Sequence, residues 1–393
     1  MRNKHLILTN GTVVADELIP NGTVVTIGDR IMYVGDEEEG ARIKDAAIPG
    51  VFEIIDAQGG YIAPGLIDVH MHGSAGFELM DGTEEALRTM ARFLAKSGTV
   101  AFLPSTVTAA PEKTRSVAQL VADYAGSNDE AEVLGVHLEG PYINEKYKGA
   151  QYGPAIRPAD LGELEELYSI LGDKLRLVTL APEVPGSLDA IAWLKERGIN
   201  VSIGHSDATY EEAMEGFEAG ITHATHTYNG MRGLHHREPG VLGAVLATPG
   251  IWAELIADLV HVHPGAIRVL LRSAGVERVV LISDAVQATG LPDGEYMLGD
   301  HQIFVKDGAA RLAEGNLAGS TLTMLRAVKN MVQEVGISLQ DALRMASLNP
   351  AQSLGLADRG WIREGNRADF VILSESFTVQ KTIIAGQVAY SDQ

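Results

Sequence analysis

"YIAPGLIDVHMHGSAG", residues 61–76, carries two histidines, His70 and His72, two positions apart at the end of an apolar run. Side chains two apart on a strand point to the same side, so both imidazoles can reach one ion. Taken singly, each is no more than a polar residue at a strand end. The pair gains meaning only if other ligands arrive at the same place, and that depends on the fold.

Working outward, short apolar runs of the same kind recur downstream: "VAFLPSTV", "EVLGVHLEGP", "LRLVTLAPE", "NVSIGHSD", "THATHTYN", "IWAELIADLVHV" and "RVVLISDA". Between them lie helix-like stretches such as "TEEALRTMARFLAKSG" and "SLDAIAWLKERG", several ending in the glycine that helix C-termini favour. Eight strands alternating with helices over residues 62–357 predict a closed (β/α)8 TIM barrel. A doubly wound open sheet is the alternative, but eight units and no Gly-rich dinucleotide fingerprint favour the barrel. Residues 1 to about 60 read instead as strands and hairpins, with "HLILT", "GTVV", "GTVVTIG" and "RIMYVGD" set between turn pairs. The last thirty residues read the same way. Neither segment can cover an apolar face alone, so residues 1–61 and 358–393 are expected to join as a small β-sandwich domain beside the barrel.

In a barrel, the C-terminal strand ends form one rim, where the active site lies. His70 and His72 close the first run, Glu139 the third, His205 the fifth, His226 the sixth, His261 the seventh and Asp284 the eighth. A carboxylate closing an apolar strand is costly unless it is paired or binds a cation. Glu139, His205 and His226 supply one oxygen and two nitrogens, the open three-ligand set of a catalytic metal site. Asp284 alone reads as a helix cap. Facing a metal cluster, it becomes a carboxylate able to move a proton to or from water. His137, two before Glu139, is expected in the interior behind the ligands, and His223 is expected to point elsewhere.

Composition narrows the chemistry. The 393 residues include no cysteine, which excludes disulfides and thiol nucleophiles and leaves His and carboxylates as metal ligands. A net charge of −21 argues against nucleic acid as a partner. No stretch reads as a signal peptide or is long enough to span a bilayer, so a soluble cytoplasmic protein without membrane contact is expected.

"PGLIDVHMHG", "HLEGPYIN", "GHSDA", "THTYNGM", "HREPGVLGAVL", "LISDA" and "LAGSTLTM" follow in that order. Together with the bracketing β segments they resemble the N-acetylglucosamine-6-phosphate deacetylase family of the amidohydrolase superfamily. The resemblance implies hydrolysis of the acetamide of a 2-acetamido-2-deoxy sugar 6-phosphate to acetate and the amino sugar phosphate. It maps Glu139, His205 and His226 onto the principal metal site and His70 and His72 onto a second site, with Glu139 bridging and Asp284 as the acid/base beside the ions. One or two divalent ions are implied, zinc first, with iron, manganese or cobalt as alternatives. His261 corresponds to the residue that polarises the substrate carbonyl. Gln151, Asn229, Gly230, Arg237 and the stretch Leu317, Ala318 and Gly319 correspond to substrate contacts. Arg237 falls on the phosphate, reached across a homodimer interface. Two rival activities remain: deacetylation of N-acetylgalactosamine 6-phosphate, and hydrolysis of a cyclic amide. Cyclic-amide hydrolases of the superfamily typically bridge two metals with a modified lysine, which the third and fourth strands here lack at the mouth end.

Overall fold

The computed structural model of the chain describes residues 5–47 and 50–392. Residues 1–4 and 393, the outer ends of the expected β segments, lie outside the described residues, as do residues 48–49.

The N-terminal segment opens with β1 (His5–Val14), β2 (Leu18–Ile27) and β3 (Arg30–Gly35), an antiparallel meander. "HLILT" and "GTVV" are one strand, not two. Asn10 takes φ 57° and the register slips at Gly11, so the chain bulges without turning back. β4 (Phe52–Asp56) and β5 (Tyr61–Pro64) run parallel to β1 along its first and second halves. Residues 37–46, also expected as strand and turn, form helix α1 (Glu37–Ala46). Asp36 accepts the Glu39 amide, three glutamates fill the first turn and Lys44 sits in the last, so cap and charges suit the helix dipole.

Eight parallel strands follow: β6 (Leu66–Met71), β7 (Thr99–Pro104), β8 (Val136–Glu139), β9 (Leu175–Leu180), β10 (Asn200–Ile203), β11 (His223–Ala224), β12 (Trp252–Ile256) and β13 (Val279–Ile282). β6 pairs with β7, and β8 to β13 pair in sequence order. The two arcs join where β7 pairs with Glu132–Val133, just ahead of β8, and where Ser105 bridges His137. At the other end of the curl, the Ser283 hydroxyl and amide donate to Asp68, and the Asp284 amide donates to the His70 carbonyl at 2.9 Å. The strands are apolar and buried on both faces, as in a parallel sheet covered by helices. Helices such as α2 (Glu84–Lys96) cross between them, and α2 is started by the Thr83 hydroxyl, which accepts the Ala86 amide.

A polar belt crosses the inside of this curl. His137 Nδ1 meets Ser105 Oγ at 2.9 Å and its Nε2 meets Thr179 Oγ1 at 2.8 Å. Thr225 links Thr179 and Ser202. Burial and the neighbouring His70 hold His137 well below the usual histidine range, so it is neutral and engaged on both nitrogens.

After β13 the chain adds an antiparallel excursion absent from the sequence reading: β14 (Gly294–Leu298), β15 (His301–Lys306) and β16 (Ala309–Arg311). It ends with β17 (Phe370–Leu373), β18 (Val379–Ile384) and β19 (Gln387–Ser391). β17 pairs antiparallel with β5, giving one eight-stranded sheet ordered β19–β18–β17–β5–β1–β2–β3, with β4 on β1. Leu8, Val24, Ile31, Ile62, Phe370 and Ile372 share its core. Buried Arg359 ties this sheet to the parallel strands, donating to Asp369 at 2.6 Å and Glu132 at 2.9 Å. Among the described residues, no helix is long and apolar enough to cross a membrane.

Candidate metal centre and active-site cleft

The C-terminal ends of the parallel strands bring six buried residues together. Glu139 Oε1 lies 3.1 Å from His205 Nε2 and 3.2 Å from His226 Nε2, and those two nitrogens are 3.1 Å apart. His70, His72 and Asp284 form a second group, with His72 Nε2 3.1 Å and His70 Nε2 3.6 Å from Asp284 Oδ1. Glu139 stands between the groups, its Oε2 3.3 Å from His72 Nε2.

Each ring is held by its other nitrogen. His205 Nδ1 donates to the Tyr147 carbonyl at 2.9 Å and His226 Nδ1 to the Asn229 carbonyl at 3.1 Å. His72 Nδ1 faces the Ser105 carbonyl and His70 Nδ1 faces Glu254, both at 3.2 Å. With Nδ1 engaged by acceptors, every Nε2 lone pair is turned to the centre, as metal ligation requires. His70 Nε2 and Glu254 Oε1 are buried without a hydrogen-bond partner. Among the described residues, no lysine or arginine pairs with Glu139, Glu254 or Asp284, so positive charge must come from protonated imidazoles or a bound cation. The electrostatics agree. Burial would lower His70 and His72, but Glu139 and Asp284 hold both above the usual histidine range. Burial would raise Glu139, but His70, His205 and His226 hold it well below the carboxylate range. The orphaned His70 Nε2, carboxylates without a lysine or arginine partner and the pre-aimed nitrogens all fit a divalent cation.

The backbone is bent to make this set. His205, His226 and Asp284 each lie two residues past their strands, not at the strand ends, and take φ of 48°, 29° and 48°. Left-handed backbone at a non-glycine residue costs about 1–3 kcal/mol and collects at functional sites. Gly230, at φ 58°, runs over the rings. A Cβ there would stand 3.1 Å from both His205 Nδ1 and His226 Cε1. Gly319, at φ 57°, passes the Asp284 carbonyl so closely that a Cβ would collide with Val286.

An open cleft above the ligands is lined by His72, Glu139, Gln151, His205, His226, Asn229, Gly230, His261, Asp284, Leu298, Leu317 and Gly319. His261 reaches it from a loop five residues past β12, not from the strand end. Asp258 interrupts the apolar run, accepts the Val260 and His261 amides, and takes His261 Nδ1 at 2.6 Å. Ala318 is buried against β16 and does not face the cleft. Arg237 sits on an exposed loop beside His236, outside the cleft of its own chain. His223 bonds Thr222 and stays away from the ligands.

Sequence reasoning missed Glu254, Asp258 and Asp68. Glu254, fully buried inside "WAELI", holds His70 and accepts the His226 amide at 3.4 Å. Asp68, pushed up to about 6 by burial against the Ser283 hydrogen bonds, joins β6 to the turn after β13. The available signal for Asp68 and Glu254 was akin to that of Glu139, a carboxylate in an apolar strand, but in mid-strand and not at its end.

A model of the amidohydrolase family matches residues 61–389, and the chain belongs to that family. The N-acetylglucosamine-6-phosphate deacetylase of Vibrio furnissii is 43% identical over 383 residues, covering 97% of this chain and 91% of the relative. The N-acetylgalactosamine-6-phosphate deacetylase of Escherichia coli O157:H7 is 40% identical, covering 88% and 94%. Among solved structures, a mutant N-acetyl-D-glucosamine-6-phosphate deacetylase from Mycobacterium smegmatis, in complex with N-acetyl-D-glucosamine 6-phosphate, superposes with a TM-score of 0.91 at 33% identity, covering 99% and 100%. Its place in the family is among these acetamido sugar phosphate deacetylases.

Proposed function

We propose that this chain hydrolyses the acetamide of N-acetylglucosamine 6-phosphate to glucosamine 6-phosphate and acetate. The observation that carries the proposal is the pre-aimed set of four imidazoles and two carboxylates at the floor of the cleft. The curled parallel sheet is read as a closed (β/α)8 barrel over residues 62–357. Residues 1–61 and 358–393 are read as a β-sandwich module.

Glu139, His205 and His226 would hold the principal ion, and His70, His72 and Asp284 a second, with zinc assigned first and iron, manganese or cobalt as competitors. A divalent ion there supplies a polarising charge and brings the pKa of a water toward about 7. Asp284 takes the proton from the attacking water and returns it to the departing nitrogen. His261, fixed by Asp258, donates from Nε2 to the carbonyl oxygen as charge builds on it. The C–N bond then breaks, leaving acetate and the free amine. Asn229, Gly230, Gln151, Leu317 and Gly319 bound the sugar, and Ala318, buried against β16, backs that wall without facing the cleft. Arg237 completes the phosphate site of the partner subunit in a cytoplasmic homodimer. Its planar fork suits a phosphate dianion in a chain of strongly negative charge.

Support for the glucosamine substrate comes from the relatives that match nearly end to end, one of which is crystallised with that sugar phosphate. The E. coli relative at 40% keeps the galactosamine epimer as the competing substrate. Steady-state turnover on both epimers, with metal content per chain measured on the same sample, tests the reading. A higher kcat/KM on the galactosamine compound reverses the substrate, and turnover of dihydrouracil with none on either sugar overturns the activity.

A further inference from the structure

The geometry points to Gln151 as a positioning residue that fixes the rotation of the Glu139 carboxylate, and not primarily as a contact to the sugar. The inference rests on the metal reading of the proposed function. Gln151 is 5% exposed and both ends of its amide are used within the chain. Its Oε1 accepts the Thr108 amide at 2.6 Å, and its Nε2 donates to Glu139 Oε2 at 2.5 Å. Because a backbone N–H can only donate, the Thr108 bond decides which end of the amide is oxygen, and the NH2 is thereby aimed at Glu139. A donor on Oε2 sets the plane of the carboxylate and leaves Oε1 to face His205 and His226.

Gln151 belongs to a loop that orients a second ligand as well. The Tyr147 carbonyl receives His205 Nδ1–H, the Asn144 amide donates to the His205 carbonyl at 2.8 Å, and the Gln151 amide closes the loop onto the Lys148 carbonyl at 2.9 Å. Residues 144–151 thus clamp two of the three groups assigned to the principal ion. Groups that orient metal ligands commonly account for ten- to a hundredfold in metal affinity.

The test uses Gln151→Met, of similar length and without a donor, in the full metal-stripped chain. Zn2+ affinity is measured by competition with a chromophoric chelator, and a thermal melt checks folding. We expect the tightest-bound Zn2+ to weaken about ten- to a hundredfold, with the metal-free melt within a few degrees of wild type. Gln151→Ala should give the same weakening. A sugar contact predicts a different result: unchanged Zn2+ affinity and a raised KM at saturating metal. That outcome overturns the assignment while leaving the metal reading intact. A wild-type chain that takes up no Zn2+ overturns both.

Discussion

Exchanging Glu254 for Gln removes one charge and almost no volume from beneath the metal centre. Glu254 Oε2 is the acceptor for His70 Nδ1 at 3.2 Å and for the His226 amide at 3.4 Å. A glutamine oxygen can keep both bonds, so what is lost is the charge that strengthens them and makes His70 a better donor of its Nε2 lone pair. Hydrogen bonds to charged groups contribute about 1.5–3 kcal/mol and neutral ones about 0.5–1.5 kcal/mol. The difference, about 1–1.5 kcal/mol, corresponds to about five- to tenfold in a dissociation constant. Among the described residues only His70 leans on this carboxylate through its ring, so the loss should fall on an ion held by His70, His72 and Asp284. Stepwise Zn2+ titration of the metal-stripped protein by calorimetry resolves the two events. The weaker event should shift five- to tenfold and the tighter one by less than twofold. Equal weakening of both, or none of either, would refute the assignment of Glu254 to His70.

Three further outcomes follow from the geometry. Asp284→Asn should keep the ion on Glu139, His205 and His226 but reduce kcat by about 10²–10⁴-fold, the range for a lost general acid/base; near-normal kcat would return Asp284 to a capping role. Arg237→Ala should raise KM for the sugar phosphate about ten- to a hundredfold with little change on the unphosphorylated sugar. Mixing it with Asp284→Asn chains should restore activity if the loop serves the partner, since one site of a mixed dimer is then intact; confirmed subunit exchange without recovery places Arg237 in its own chain's service or outside binding. Burial, aided by Asp81, pushes the Glu78 carboxyl up to about 7 from its usual 4.5, so the folded chain holds that proton more tightly. Stability should therefore fall as pH rises from 4.5 through 7 and level off above. Glu78→Gln, whose oxygen can still accept the Gly299 amide, should gain melting temperature over wild type across that window; a difference that does not vary with pH counts against the buried carboxylate.

The cluster of four imidazoles and two carboxylates was legible because each member follows an apolar run, and the period of strands and helices says where such runs end. What the pattern could not supply was the backbone beyond the strand. His205, His226 and Asp284 turn inward through left-handed residues that no periodicity signals. His261 was placed on a strand because Leu259 and Val260 prolong the apolar run past Asp258, whose caps on the Val260 and His261 amides bend the chain away. Helix α1 was hidden by its short length among turn-forming residues. Its acidic first turn and basic last turn were the available clue. Glu254 escaped because carboxylates were weighed only at strand ends, and it stands in mid-strand. Arg237 lies on an exposed loop outside the cleft of its own chain, a position that the strand-and-helix period does not fix.

Pairing of β5 with β17 joins Tyr61–Pro64 to Phe370–Leu373, so the sheet that β1 to β5 begin cannot be finished until β17 has been synthesised. At about 5–20 residues per second the wait is roughly 15–60 s. Throughout it the edge of β5 that β17 will occupy stays open to other strands. Premature termination anywhere before Phe370 would leave that edge open for good. Survival of this enzyme in the cell is therefore expected to depend on the strand from Phe370 onward, and a product truncated before it should be lost to aggregation or proteolysis even when every residue of the cleft has been translated.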